Sequence, residues 1–153
     1  MNKYLQTLLL SAFTFFSVQT VAHEYNTGNI EIDHPWSREA PPTATVIAGF
    51  LQLKNNDQQD DYLISASTPA APRVEIHTHE MSDGMMQMKQ IDRVKIAAQE
   101  TVMFKPGSYH LMIFNPEKAY KQGERFPMTL VFQNAGEVQV ELAVEKNGHV
   151  HAH

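Results

Sequence analysis

The chain has 153 residues, a formal net charge of −5 and no cysteine. Disulfides, thiol–disulfide chemistry and a blue-copper thiolate site are therefore excluded. The Lys and Arg residues are scattered without a basic patch, which argues against nucleic acid as a partner.

Residues 1–22 carry Lys3, then the apolar run LLLSAFTFFSV, then small residues ending in TVA before His23. That is the form of a secretory signal peptide, and the apolar run is shorter than the roughly 20 residues of a membrane span. The expectation is export to the periplasm, with no membrane insertion after cleavage. No lipobox is possible without cysteine. Residues 23–147 are long enough for one domain with its own core.

HEYNTGN reads as a polar, mobile leader. IEIDHPW alternates Ile30 and Ile32 against Glu31 and Asp33, a first strand; His34 in it reads as structural or exposed. After SREAPPTAT breaks regularity, TVIAGFLQLKN reads as a long strand with Phe50 buried. NNDQQDD lacks the spacing, glycine and closing Glu of a calcium loop and reads as a solvated turn. DYLISAS and RVEIH are short strands, HEMSDGMMQM a loop, MKQIDRVKIA a strand with or without a turn, and ETVMFK and YHLMIF strands around a KPG turn. NPEKAYKQGERF is a long connection with room for one helical turn. FPMTLVFQ and EVQVELAVE form a hairpin through Asn134, Ala135 and Gly136. About eight short strands without an amphipathic helix predict an all-β sandwich or barrel.

Chemistry concentrates between His77 and Met112. His77, Met88, His110 and Met112 follow one another at intervals of ten, twenty-one and one intervening residues. Imidazole and thioether are soft donors that suit monovalent copper, whereas magnesium and calcium require oxygens. A thioether has no proton to lose and stays a ligand at low pH. In YHLMIF, His110 and Met112 leave one strand face while Tyr109, Leu111 and Ile113 leave the other. RVEIH repeats the pattern, with Val74 and Ile76 opposite Arg73, Glu75 and His77. Met103 and Met128, in strand-like runs, read as core filler.

The region from about residue 29 to 145, including Trp36, Arg38, Pro41, Pro42, AGFLQLKN, the turn around Gly84 and KPGSYHLMIF, resembles the PCu(A)C-type periplasmic copper chaperones, whose hallmark is this His, Met, His-x-Met spacing. The resemblance implies a cupredoxin-like Greek-key β-sandwich in a single domain. It also implies Cu(I) ligands at His77, Met88, His110 and Met112, with Met81, Met85 and Met86 crowding the same loop. Met81 and Met86 remain alternatives for the third ligand and His79 for an imidazole. The acceptor implied is the copper subunit of apo-cytochrome c oxidase or a cysteine-containing copper chaperone.

Two further sets of histidines stand apart. His149, His151 and His153 alternate in a polar C-terminal tail, residues 148–153, and imidazoles without thioethers suit Cu(II). After cleavage, His23 becomes an N-terminal residue whose amine and imidazole can chelate Cu(II) together. The leading expectation is a copper chaperone rather than an enzyme; the alternatives are copper or zinc buffering for resistance, and a copper oxidase built on His23. Among enzyme signatures, neither a nucleophile elbow nor a zincin motif is present.

Overall fold

In the computed structural model, residues 24–146 are described. The expected signal peptide, His23, and the tail histidines His149, His151 and His153 lie outside the described residues. Eleven strands run in order: β1 Tyr25–Thr27, β2 Ile30–Arg38, β3 Val46–Asn55, β4 Asp61–Ser67, β5 Arg73–Ser82, β6 Met85–Gln90, β7 Val94–Ile96, β8 Thr101–Phe104, β9 His110–Phe114, β10 Arg125–Phe132 and β11 Gly136–Glu145. The all-β class and the cupredoxin-like sandwich stand as expected. Hydrogen bonds nevertheless join all the strands into one sheet, ordered β6-β5-β9-β3-β2-β11-β10-β4-β7, with β1 against β2 and β8 against β3. The sheet closes over a single core, and β4 and β5, far apart in that order, line one shared cleft through Ile64, Ala66, Val74 and Ile76.

Alternation decides which face turns inward. On β10, Phe126, Met128, Leu130 and Phe132 are buried; on β11, Val140, Leu142 and Val144; on β3, Ile47, Leu51 and Leu53. Met128 is core, as expected. Met103 is not: it is 45 % exposed. It lies opposite Gln52 in the β3–β8 ladder, so its neighbours Val102 and Phe104 take the inward positions.

Three other expectations change. The presumed leader contains β1, whose Tyr25 pairs with Ile32 and Thr27 with Ile30. Thr27 Oγ1 donates to the Ala135 carbonyl, and Glu141 N–H donates to the Tyr25 hydroxyl, tying this segment to the β10–β11 hairpin. The connection before β10 holds no helical turn; it is anchored by Tyr120, buried with its ring 4.7 Å from that of Phe126. Within the acidic turn, Asp61 is buried rather than solvated and accepts from the backbone N–H groups of Tyr62, Asn134 and Ala135.

A bulge in β2 shapes the outer face. Asp33 pairs with Gln52 but Trp36 with Phe50, so β2 carries one extra residue there. His34, with φ of 45°, sits in the bulge, its Nε2 3.2 Å from the Glu145 carboxylate. Strict alternation would keep Trp36 on the face of Ile30 and Ile32. The extra residue turns it over, so that Ser37 enters the core and Trp36 stacks on Phe50, ring centroids 4.6 Å apart.

β9 is held by Leu111 and Ile113, both fully buried, each such side chain contributing about 1.5–3 kcal/mol of burial. We expect Leu111→Ala to lower the unfolding free energy by about 3 kcal/mol in urea denaturation. A loss below about 1 kcal/mol would mean that this face does not anchor the strand.

Candidate metal centre

β6, β5 and β9 are consecutive in the sheet, and their registers build one chemical surface. Across β5 and β9, His77 is opposite His110 and Glu75 opposite Met112. Across β5 and β6, His77 is opposite Gln90, His79 opposite Met88 and Met81 opposite Met86. Facing residues and residues two apart share a face. The four expected ligands His77, Met88, His110 and Met112 therefore stand on one side of the sheet, and the secondary candidates His79, Met81 and Met86 stand there too. Met85 pairs with Ser82 and belongs to the opposite face. Phe50 and Trp36 share the face of Met112, through Ala48 opposite Met112 and Trp36 opposite Phe50.

The segment read as a loop is a tight hairpin. Asp83 and Gly84, at φ of 51° and 77°, form the two-residue turn between Ser82 and Met85. Both residues at positive φ is the type I′ pattern that Asp-Gly favours, and that dipeptide was the signal available in the sequence.

Hydrogen bonds select which nitrogen each imidazole can offer. His77 Nε2 lies 2.8 Å from Glu75 Oε2, while its Nδ1 is buried with no hydrogen-bond partner. A carboxylate accepts, so Nε2 carries the proton and the Nδ1 lone pair is free for a metal. Glu75 is held in turn by Arg73, whose Nε is 3.1 Å from Oε1 and whose guanidinium lies 4.0 Å from the centroid of the Phe114 ring. For His110 the assignment is reversed: Nδ1 lies 2.9 Å from the Ser108 carbonyl oxygen, leaving Nε2 free. His79 Nδ1 is 3.3 Å from the same carbonyl. Pro106 and Gly107, the latter at φ of 82°, make the turn closed by Ser108 N–H to the Lys105 carbonyl, and this turn aims the Ser108 carbonyl at both rings. The roles of Glu75 and Ser108 were not read from the sequence; alternation put Glu75 on the His77 face, and Pro-Gly before His110 announced the turn.

The His77 and His110 ring centroids are 5.8 Å apart, and those of His79 and His110 5.1 Å. Such separations suit two imidazoles flanking one ion with metal–nitrogen bonds of about 2 Å. The imidazoles form a recessed floor, His110 being only 4 % exposed, and the thioethers form a rim, Met88 being 55 % exposed. Burial pushes the His110 pKa below its ordinary value, against the opposing Ser108 hydrogen bond and together with the neighbouring His79 and His77. Among the described residues no three His, Asp or Glu side chains are arranged to hold a metal by themselves. The thioethers of Met88 and Met112 share the face of these imidazoles, and thioether with imidazole is a soft donor set.

Comparisons with known proteins agree with this architecture. The model of the LpqE-like family, described as "Putative lipoprotein LpqE-like", matches residues 30–144. The copper-bound PCuAC domain from PmoF2 superposes with a TM-score of 0.71 at 29 % identity, over 82 % of this chain and 99 % of that one. The Cu(I) form of DR1885 from Deinococcus radiodurans shares the fold with a TM-score of 0.63 at 24 % identity, over 86 % of each chain. "Uncharacterized protein RP573" of Rickettsia prowazekii (strain Madrid E) is 29 % identical over 107 residues; the match covers 65 % of this chain but only 58 % of that protein's length. Matched by the family model over most of its length and sharing its fold with PCuAC domains, the chain belongs to the LpqE-like family as a PCuAC-type protein.

Proposed function

We propose that this protein is an exported copper chaperone that carries Cu(I) on His77, Met88, His110 and Met112 and hands it to an apo-acceptor. The observation that supports this most is the pair His77 and His110, opposite each other on the sheet, with Nδ1 of one and Nε2 of the other left free. Met88 and Met112 lie diagonally on either side of this rung, within reach of long side chains. The copper-bound PmoF2 domain of the same fold adds support for the metal. Export is supported by the signal-like residues 1–22 and by the family's description as lipoproteins, although this sequence holds no cysteine to carry a lipid.

Copper is cargo here, and the role is carriage rather than catalysis. Neutral imidazoles and thioethers bind Cu(I) without thiolate charge, so the ion is held firmly by the recessed rings and released through the exposed rim. Transfer is ligand exchange: an acceptor donor bonds the copper as the Met88 sulfur leaves, and the ion stays monovalent throughout. An acceptor site with thiolates draws the metal onward, because thiolate is the stronger ligand. The copper subunit of apo-cytochrome c oxidase and a cysteine-containing copper chaperone both fit that description.

Anaerobic Cu(I) titration against a chromogenic chelator tests the site. The full chain should take up one tight equivalent, kept in a variant ending at Asn147. In the double mutant Met88→Ala, Met112→Ala its affinity should fall on the order of 100-fold, about 2.7 kcal/mol. Binding that survives the double mutation but vanishes with the tail would assign the metal to the tail histidines instead.

The lowered His110 pKa has two consequences with a defined sign. The neutral, ligating form persists to lower pH than an ordinary histidine at 6.5 would allow, so copper retention should extend below pH 6.5. For the apo-protein, the unfolded chain takes up this proton near pH 6.5 and the folded chain only at lower pH. The contribution to stability is complete above that value and declines on acidification below it. His110→Gln should flatten this part of the stability profile in denaturation measured from pH 7.5 to 5; an unchanged slope would exclude His110 as its source.

A further inference from the structure

The β5–β6 hairpin exposes more sulfur than the proposed site uses. The exposed large hydrophobic residues among those described are Ile64, Met81, Met85, Met86, Met88 and Met103, and four of the six belong to this hairpin. Met81 is 66 % exposed and Met86 61 % exposed. Packing does not account for their presence, and apolar groups gathered in solvent mark a binding function.

Register gives the arrangement a chemical meaning. Met81 and Met86 are opposite each other, so their β-carbons are about 5 Å apart on one face, and two flexible thioethers can converge on one ion between them. His79 lies two residues from Met81 on that face, and its Nδ1 is turned to the Ser108 carbonyl, leaving Nε2 as the donor atom. Met81 is four residues from His77, about 13 Å along the strand. The Met81–Met86 rung therefore stands two same-face rungs beyond the His77–His110 rung.

We propose a second, weaker Cu(I) position on the hairpin, formed by the Met81 and Met86 thioethers with His79 Nε2, through which copper enters and leaves the recessed site. Its existence stands on the hairpin geometry alone, and its part in transfer rests on the reading of the inner site given above. Met88, opposite His79, stands on the rung between the His77 and Met81 rungs. During transfer the copper gains a bond to an outer donor as it loses Met88; its oxidation state does not change, and the thioethers take up or release no proton.

The test uses the full chain labelled at its methionine methyl carbons, titrated anaerobically with Cu(I) and followed by NMR, with signals assigned from single Met→Leu variants. The first equivalent should move the Met88 and Met112 signals and the second those of Met81 and Met86. Met85, on the other hairpin face, and Met103, on β8, should stay in place. In the double mutant Met81→Leu, Met86→Leu the first equivalent should remain, the second response should disappear, and hand-over of bound copper to a chelator should slow severalfold. Met81 and Met86 signals that stay unmoved at two equivalents, that move together with those of Met88 and Met112 at the first equivalent, or that move only together with Met85 and Met103 would overturn the proposal. Unchanged hand-over in the double mutant would remove its role in transfer. Movement of Met81 and Met86 without any response at Met88 and Met112 would instead retain the hairpin position and defeat the inner-site reading.

Discussion

The candidate metal face depends on one constraint, the register of β5 between β6 and β9. Ile76 on β5 and Leu111 and Ile113 on β9 are buried in the core, and their burial specifies how the strands align. Because side chains alternate, a slip of one residue would exchange the core face for the metal face along a whole strand. His77 opposite His110 and Glu75 opposite Met112 are thus products of packing on the other side of the sheet. The ligand types are local facts, but their juxtaposition is paid for by the hydrophobic core.

Within that frame, fixed acceptors orient the imidazoles. Glu75 holds His77 by Nε2, while the Ser108 carbonyl holds His110, and more distantly His79, by Nδ1. A carbonyl at the end of a Pro-Gly turn and a carboxylate pinned by Arg73 can only accept, so each ring is left with a defined free lone pair. In the proposed function, the recessed imidazoles hold the ion and the exposed Met88 thioether exchanges it, a division that follows from His110 being buried and Met88 exposed.

Other parts of the structure answer to the same geometry. The bulge at His34 moves Trp36 from the core side to the outer face beside Phe50, covering the sheet where it continues away from the metal region. β1, which composition alone marks as a leader, is recruited because its backbone completes the edge of β2 and because Tyr25 and Thr27 reach the β10–β11 hairpin. Met103 and Met128 look alike in sequence and end on opposite sides of their strands, one exposed and one fully buried; which parity faces inward is decided by the partner strand.

By itself, the sequence determined the all-β class, the alternating strands, the absence of thiol chemistry and the set of soft donors, since these follow from composition, period and spacing. The type I′ turn at Asp83-Gly84 was also legible in principle, because only a few dipeptides accept two positive φ angles. The tertiary structure alone decided that Met88 lies opposite His79 rather than His77, that Met85 leaves the metal face, and that Glu75 and Ser108 set the imidazole protons. Those outcomes depend on register between strands distant in the chain, and register is settled by long-range burial that no local pattern encodes.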